Sequence, residues 1–237
     1  MLLDILLFIR NPYLFSLVNN KGEKPSEKTL IKSFLLCILF LLLSVFVISI
    51  TDMLIKAIFS FSIKRNLEIN RSNSYEYWGM YRGIISVIGA PIIEEIVFIL
   101  PLTSKKKWFL FSVCFGLFFF LNDSIYSIDS YTLIGIVVPI LSFILLQVVL
   151  QNKESIIPER NFFNFWCYFL IISFSWVHIS NFSPINWQLI YFYPIYVLPQ
   201  LFYGIILSYL MVKYKNIIWP ILLHIMINLT GFLLSYF

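Results

Sequence analysis

Charged residues are scarce in this chain. Only 12% of its 237 residues are Asp, Glu, Lys or Arg, whereas 60% are hydrophobic. Soluble domains usually carry about 25% charged residues, so the composition argues against an ordinary soluble protein. Apolar stretches of about 20 residues, long enough to cross a bilayer, recur along the sequence. The sequence therefore predicts an all-α, polytopic transmembrane helical bundle.

Cysteine is nearly absent as well. Cys37, Cys114 and Cys167 each lie in an apolar segment and show no pairing pattern. This predicts buried free thiols and argues against a disulfide framework or a metal site. The net charge of +5 does not indicate nucleic-acid binding, because Lys and Arg lie mostly in short loops, where they set membrane topology.

The hydrophobic pattern predicts about seven spans, or eight if the first or sixth segment is broken. The predicted spans are 34–61, 83–102, 108–122, 131–150, 162–180, 188–212 and 217–237. Asp52 and Lys56 lie four residues apart in the first span and are expected to neutralise each other. Pro194 and Pro199 are expected to break or kink the sixth.

The segments between the spans are polar. Residues 11–33 and 64–82 are predicted to be loops, and residues 1–10 an interfacial helix, since they lack the features of a signal peptide. Basic residues at 105–107, 151–160 and 213–215 place those segments in the cytoplasm by the positive-inside rule. The basic 64–82 segment falls on the other side and does not follow this rule.

Histidine is also scarce in this chain. The chain has two, His178 and His224, and both lie in predicted spans. The stretch "PIIEEIVFIL" at 91–100 adds adjacent carboxylates, Glu94 and Glu95, to another span. Ionisable residues within a membrane are costly and by default mark a functional site.

Local spacing sharpens this hypothesis. Phe174 and His178 lie four residues apart, as do His224 and Asn228, so each pair shares one helical face. The adjacent glutamates diverge by about 100° around a helix axis. One is expected to face the site and the other to orient a neighbour.

Two chemistries suit this set of side chains. In one, a carboxylate activates water while His and Asn groups stabilise an oxyanion. In the other, Glu94, His178 and His224 bind Zn²⁺, leaving a coordination position for water. Both would hydrolyse an acyl bond, and the sequence does not separate them.

The order Glu-Glu, Phe-x-x-x-His and His-x-x-x-Asn on successive helices resembles the CPBP family, also called the CAAX-protease or Abi family. The stretch "LPQLFYGIILSYLMVKYKNIIWPILLHIMIN" at 198–228 adds to the resemblance, which covers roughly residues 85–230. It implies an intramembrane endopeptidase acting on membrane-associated or lipidated, CAAX-like substrates. The compact size and the absence of eukaryotic sorting signals predict a bacterial cytoplasmic membrane. Residues 1–82 would then be an N-terminal interfacial segment, basic loop and first span, and 83–237 the catalytic core.

The resemblance also implies roles for individual residues. Glu94 would be the base that activates water, without a metal cofactor. His178 and His224 would assist it, and Asn228 would bind the oxyanion. Glu95 completes the implied catalytic set, and Phe174 is a weaker candidate for positioning substrate.

One position departs from the family pattern. The family motif Glu-Glu-x-x-x-Arg has Ile99 where the arginine belongs, so Glu95 lacks a cation one turn away. Either hydrogen bonds orient Glu95 instead, or activity is weakened and the protein binds a peptide or partner, for example in bacteriocin immunity. A transporter is a third option, but it would favour an inverted repeat, which the sequence does not show.

The expected helix positions also conflict. From starts at Phe162 and Ile217, His178 would lie about 24 Å along its helix and His224 about 10 Å. Both helices would enter from the cytoplasmic side. Catalysis requires that the two imidazoles nevertheless meet, through helix tilt or an earlier start of the last helix.

Overall fold

The chain folds into helices throughout the residues that the computed structural model describes, which are 1–18, 25–78, 81–103, 105–121, 130–151 and 160–234. No β-strand occurs within these ranges. The α-helices are Leu2–Arg10, Pro12–Val18, Glu27–Phe59, Ile63–Trp78, Tyr81–Ile84, Ala90–Glu94, Lys106–Leu121, Ser130–Val149, Arg160–Val177, Tyr193–Tyr196, Leu198–Tyr214 and Ile218–Leu234. The π-helices are Ile85–Gly89 and Glu95–Ile99, and the 3₁₀-helices are Leu100–Thr103, His178–Phe182 and Trp187–Phe192.

Several of these helices are long and apolar enough to span a membrane. Within the described ranges they are Glu27–Phe59, Ile85–Thr103 and Arg160–Phe182. The pair Trp187–Tyr196 and Leu198–Tyr214 adds a fourth if it is one span bent by 45°. The prediction of a helical integral membrane protein is confirmed, and the predicted bend near Pro194 and Pro199 is present. The count of seven stays a prediction.

Two predicted loops are largely helical where the structure describes them. Residues 11–33 contain the helix Pro12–Val18, and the first long helix begins at Glu27 rather than Phe34. Its start is fixed by Ser26, whose hydroxyl accepts the Thr29 N–H at 3.3 Å. Hydroxyl residues satisfy the first N–H groups of a helix in this way, a signal that hydrophobic patterning alone does not register.

Residues 64–82 were predicted as a loop, but the helix Ile63–Trp78 occupies most of them. We name it the polar helix. Its first turn is capped by Asp52, which accepts the Ser62 hydroxyl at 2.7 Å and the Lys64 N–H at 3.1 Å. The Tyr196 hydroxyl donates to the same carboxylate at 2.8 Å.

The expected Asp52–Lys56 pair was therefore wrong. Asp52 is buried, and three donors from outside its own helical turn occupy its oxygens. Lys56 is not among the ion-pairing residues of the described structure. A buried carboxylate needs several hydrogen bonds. Ser62, the Lys64 N–H of the polar helix and Tyr196 supply them.

The helix Leu198–Tyr214, which we name the central helix, holds much of the core. It packs against Glu27–Phe59, Arg160–Val177 and Ile218–Leu234. Gly204 allows close approach, since a Cβ there would lie 3.0 Å from Phe174 Cδ1. The three cysteines are free, as predicted; Cys37 and Cys167 are buried, whereas Cys114 is only half-buried.

Candidate active site

The two glutamates lie on an irregular helix. This glutamate helix, Ile85–Thr103, is π-helical at Ile85–Gly89 and Glu95–Ile99. In the first π stretch the Ala90 N–H bonds to the carbonyl of Ile85. The next bond in that register would need an N–H from Pro91, which has none. π-Helical turns often occur at functional sites.

Asn228 supplies the donor that Pro91 lacks. Its Nδ2 donates to the carbonyl oxygen of Ser86 at 2.9 Å. The asparagine therefore fastens the C-terminal helix, Ile218–Leu234, to the glutamate helix. A carboxamide has two N–H donors, so this bond leaves Asn228 a second one.

Glu94 and Glu95 have different surroundings, as expected for adjacent residues on a helix. The Glu95 side chain is fully buried, whereas that of Glu94 is 21% exposed. Glu94 is thus the more accessible of the two side chains, although the Oε2 atoms of both are buried.

His178 approaches Glu94 from the helix Arg160–Phe182, which we name the first histidine helix. Its Nδ1 lies 2.8 Å from the carbonyl oxygen of Phe174. Because a carbonyl only accepts, this bond places a proton on Nδ1. Nε2 then faces Glu94 Oε2 at 3.6 Å.

His224, on the C-terminal helix, approaches the same oxygen. Its Nε2 lies 3.7 Å from Glu94 Oε2. Its Nδ1 lies 2.9 Å from Glu95 Oε1. Glu94 thus faces both imidazoles, and Glu95 orients one of them.

Phe174 lies between the two imidazoles. Its ring centroid is 5.2 Å from that of His178 and 5.7 Å from that of His224. The Phe174 side chain is completely buried, and its described ring contacts include both histidines and Phe98. It packs against both histidine rings, and a role in positioning substrate stays a prediction.

The conflict in helix position is resolved by the structure. His178 lies 18 residues after Arg160 and His224 six residues after Ile218, yet both reach one Glu94 oxygen. The C-terminal helix starts at Ile218, so an earlier start is not the reason.

Two asparagines of the polar helix support the segment that follows His178. Asn66 Nδ2 donates to the carbonyls of Phe182 and Pro184 at 3.3 and 3.0 Å. Asn70 Nδ2 donates to those of Asn181 and Ser183 at 2.9 and 2.7 Å. We name this arrangement, Asn66 and Asn70 with carbonyls 181–184, the asparagine clamp.

Sequence reasoning missed the asparagine clamp. The four-residue spacing of Asn66 and Asn70 was a signal for a shared helical face. That spacing is informative only in a helix, and the sequence predicts a loop for residues 64–82.

The position of the missing arginine is filled by the core. Ile99 is fully buried among hydrophobic neighbours. Glu95 therefore has His224 as its described partner, on Oε1, while Oε2 is buried without a hydrogen-bond partner in the described structure. Two expectations were given for Glu95. The structure contains the first, a hydrogen bond that orients Glu95, and its partner is His224.

Glu94, His178 and His224 are the alternative zinc ligands. The described ranges contain no group of three His, Cys, Asp or Glu side chains arranged to hold a metal ion. Both Nε2 atoms face the same Glu94 oxygen, and the other oxygen donor, Glu95, already holds His224. The metal-free mechanism and the zinc alternative both stay predictions.

Residues 144–230 match the family model of the Type II CAAX prenyl endopeptidase Rce1-like family. This confirms the resemblance drawn from the sequence motifs. The matched segment contains His178, His224 and Asn228, while the two glutamates lie outside it. Neither the curated proteins nor the solved structures give a significant match to the chain.

Proposed function

We propose that this protein is an intramembrane endopeptidase that cleaves membrane-associated or lipidated, CAAX-like substrates with a water activated by Glu94. One observation carries the proposal: both imidazole Nε2 atoms lie within 3.7 Å of Glu94 Oε2. The three residues come from three helices, and only two of them lie in the segment that matches the protease family.

The separation of the polar atoms matches that of groups bridged by a water. Distances of 3.6 and 3.7 Å are too long for direct hydrogen bonds, and a bridging water is the usual explanation for polar groups at such separations. A water about 2.8 Å from both Glu94 Oε2 and His178 Nε2 forms a triangle with them. It donates one proton to each group, which aims its lone pairs at a substrate carbonyl.

The reaction then follows from these positions. The water oxygen bonds to the carbonyl carbon while one water proton moves to Glu94 and the carbonyl oxygen becomes an oxyanion. The second N–H of Asn228 donates to this oxyanion, and His224, held by Glu95, adds positive charge nearby. The oxyanion reforms the carbonyl, the C–N bond breaks, and the leaving nitrogen takes the proton from Glu94.

A second candidate function has its own support. Ile99 fills the position of a family arginine, and the buried Glu95 Oε2 lacks a described partner. A weakened enzyme would bind a peptide at the same site without cutting it, as an immunity protein does. Tight binding of an uncleaved peptide by the wild-type protein would favour this function.

We also infer seven spans. The helices Lys106–Leu121, Ser130–Val149 and Ile218–Leu234 coincide with the predicted third, fourth and seventh segments. They add to the three long apolar helices and the bent pair. The N-terminal part, residues 1–82, supports the catalytic core, residues 83–237. The partners that we propose are membrane lipid and peptide substrates, and not nucleic acid.

The test is proteolysis by the purified protein in liposomes. Fluorogenic peptides ending in a prenylated CAAX-like sequence are compared with unprenylated copies, with and without a chelator. We expect cleavage that the chelator does not reduce. Loss with the chelator and recovery with Zn²⁺ would contradict the glutamate mechanism and make the histidines ligands.

A further inference from the structure

The first two helices form an N-terminal hairpin, Leu2–Arg10 and Pro12–Val18, that is fastened to the first histidine helix. The Tyr168 hydroxyl donates to the carbonyl of Ile9 at 2.7 Å. The Tyr13 N–H donates to Asn164 Oδ1 at 2.9 Å. The hairpin is therefore held on both sides of its turn.

The hairpin is also fastened to the end of the central helix. Lys213 Nζ lies 2.6 Å from Asp4 Oδ2, and Lys215 Nζ donates to the Ser16 hydroxyl at 2.6 Å. The hydrogen bond from Lys213 lowers the pKa of Asp4. Asp4 is thus ionised near neutral pH, and Lys213 balances its charge.

The hairpin and Arg160 line an open cleft of about 580 Å³. Its apolar wall includes leucine and valine side chains that are at least 46% exposed. The cleft is lined by Asp4, Leu7, Arg10, Asn11, Leu14, Phe15, Val18 and Arg160.

The charge of the cleft is positive. Arg10 and Arg160 are exposed, and no described carboxylate forms an ion pair with either of them. Asp4, the one acidic residue of the lining, is already paired with Lys213. The cleft lies at the end of the bundle that carries Lys213 and Lys215, which the positive-inside rule places in the cytoplasm.

We infer that this cleft binds the headgroup of an anionic phospholipid of the cytoplasmic leaflet, with its acyl chains along the exposed Leu7, Leu14 and Val18. Arg10 and Arg160 supply the charge complementarity, since guanidinium groups pair with phosphate through parallel hydrogen bonds. Basic pockets at the cytoplasmic ends of membrane helices bind anionic headgroups in this way. The inference does not depend on the proposed hydrolysis.

Native mass spectrometry of the full-length protein in detergent tests it. The probes are phosphatidylglycerol and phosphatidylcholine with identical acyl chains, and inorganic phosphate as competitor. The variant Arg10→Gln/Arg160→Gln is compared with Lys105→Gln/Lys107→Gln, which removes two exposed charges outside the cleft. Melting temperatures show whether both variants remain folded.

We expect one phosphatidylglycerol to bind the wild type on the order of tenfold more tightly than phosphatidylcholine, as two cations at a headgroup predict. The arginine variant should lose this preference and the lysine variant should keep it. Equal binding of both lipids, a preference kept without the arginines, or an equal loss in both variants would overturn the inference. Full competition by millimolar phosphate would assign the cleft to free phosphate instead. If the arginine variant unfolds, the inference is judged on the wild type alone, from its binding of the two lipids with and without phosphate.

Discussion

At the scale of single residues, the site depends on a division of work between adjacent glutamates. Glu94 is partly exposed and faces both Nε2 atoms, whereas Glu95 is fully buried and holds His224 through Nδ1. A carboxylate behind an imidazole fixes the ring and its tautomer. Glu95 is therefore a positioning residue in this account, and Glu94 is the catalytic residue.

This division predicts how Glu95 responds to substitution. Glu95→Gln keeps an oxygen that can accept the His224 N–H, so we expect it to retain measurable activity. Glu95→Leu leaves His224 unheld and should lower kcat roughly 10–100-fold, as for other groups that orient a reactive imidazole, with KM unchanged. Steady-state kinetics of the two variants provide the check, and equal activities would contradict the positioning role.

Ile99 gives a second prediction at this scale. It is fully buried in the hydrophobic core, and Glu95 already has His224 as a partner. Ile99→Arg, which introduces the arginine of the motif that the sequence resembles, should therefore lower the melting temperature. Overpacking a core costs about 1–3 kcal/mol, and burying an unpaired charge adds to that cost.

The Ile99→Arg variant should also gain no activity. Ile99→Leu, of similar volume, serves as its control. A variant that is both stable and several times more active than wild type would show that the missing arginine, and not the present partner, limits Glu95.

At the scale of helical elements, the polar helix connects the two sides of the site. Its start is capped by Asp52, and Asn66 and Asn70 hold the chain just after His178. The glutamate helix follows it in sequence. The polar helix can thus fix His178 relative to Glu94 without touching either residue.

The asparagine clamp is expected to act on catalysis more than on stability. Asn66→Ala/Asn70→Ala should lower kcat by about tenfold or more, since displacing a reactive group by about 1 Å is costly. Asn73→Ala, an exposed position on the same helix, is the matched control. Turnover rates measured beside melting temperatures separate the two effects, and a change in melting temperature alone would contradict the positioning role.

At the same scale, sequence patterns predict some helices and miss others. Long apolar runs predicted the spanning helices, and prolines predicted the bend in the sixth segment, because both signals are local. The polar helix was missed since its described partners lie outside the segment itself: Asp52 at its start and carbonyls 181–184, more than 100 residues away in sequence. The π stretches around the glutamates also depend on such distant partners, as the bond from Asn228 to Ser86 illustrates.

At the scale of the whole molecule, the candidate site was predictable as a set of residues but not as a geometry. The scarcity of histidine, and the two glutamates within a predicted span, identified Glu94, Glu95, His178 and His224. The sequence does not show that these residues converge, or that His224 Nδ1 bonds to Glu95. Both depend on how three helices pack together. The expected positions of the histidines along their helices even suggested that they would not meet.

The orientation of the molecule in the membrane follows from its charge distribution. The basic residues at 105–107 and 213–215 predict a cytoplasmic location for those ends, which puts the segment after His178 outside. The 151–160 segment lies mostly outside the described residues. Ser180→Cys should react with an impermeant maleimide in sealed right-side-out vesicles, whereas Lys105→Cys should react only after lysis.

Both of these positions are exposed, and the wild type controls for its own three cysteines. The reverse labelling pattern would invert the topology. It would also move the cleft of the N-terminal hairpin to the outer leaflet.

The most direct test of the central claim compares wild type, Glu94→Gln and Glu68→Gln on one cleaved peptide in liposomes. Glu94→Gln replaces the base with a group of nearly the same shape that cannot take a proton from water. Glu68 is exposed on the polar helix and controls for the loss of a carboxylate. We expect Glu94→Gln to fold normally and lose about 100-fold or more of kcat, while Glu68→Gln stays fully active. Wild-type turnover by Glu94→Gln would contradict the assignment of Glu94 as the base.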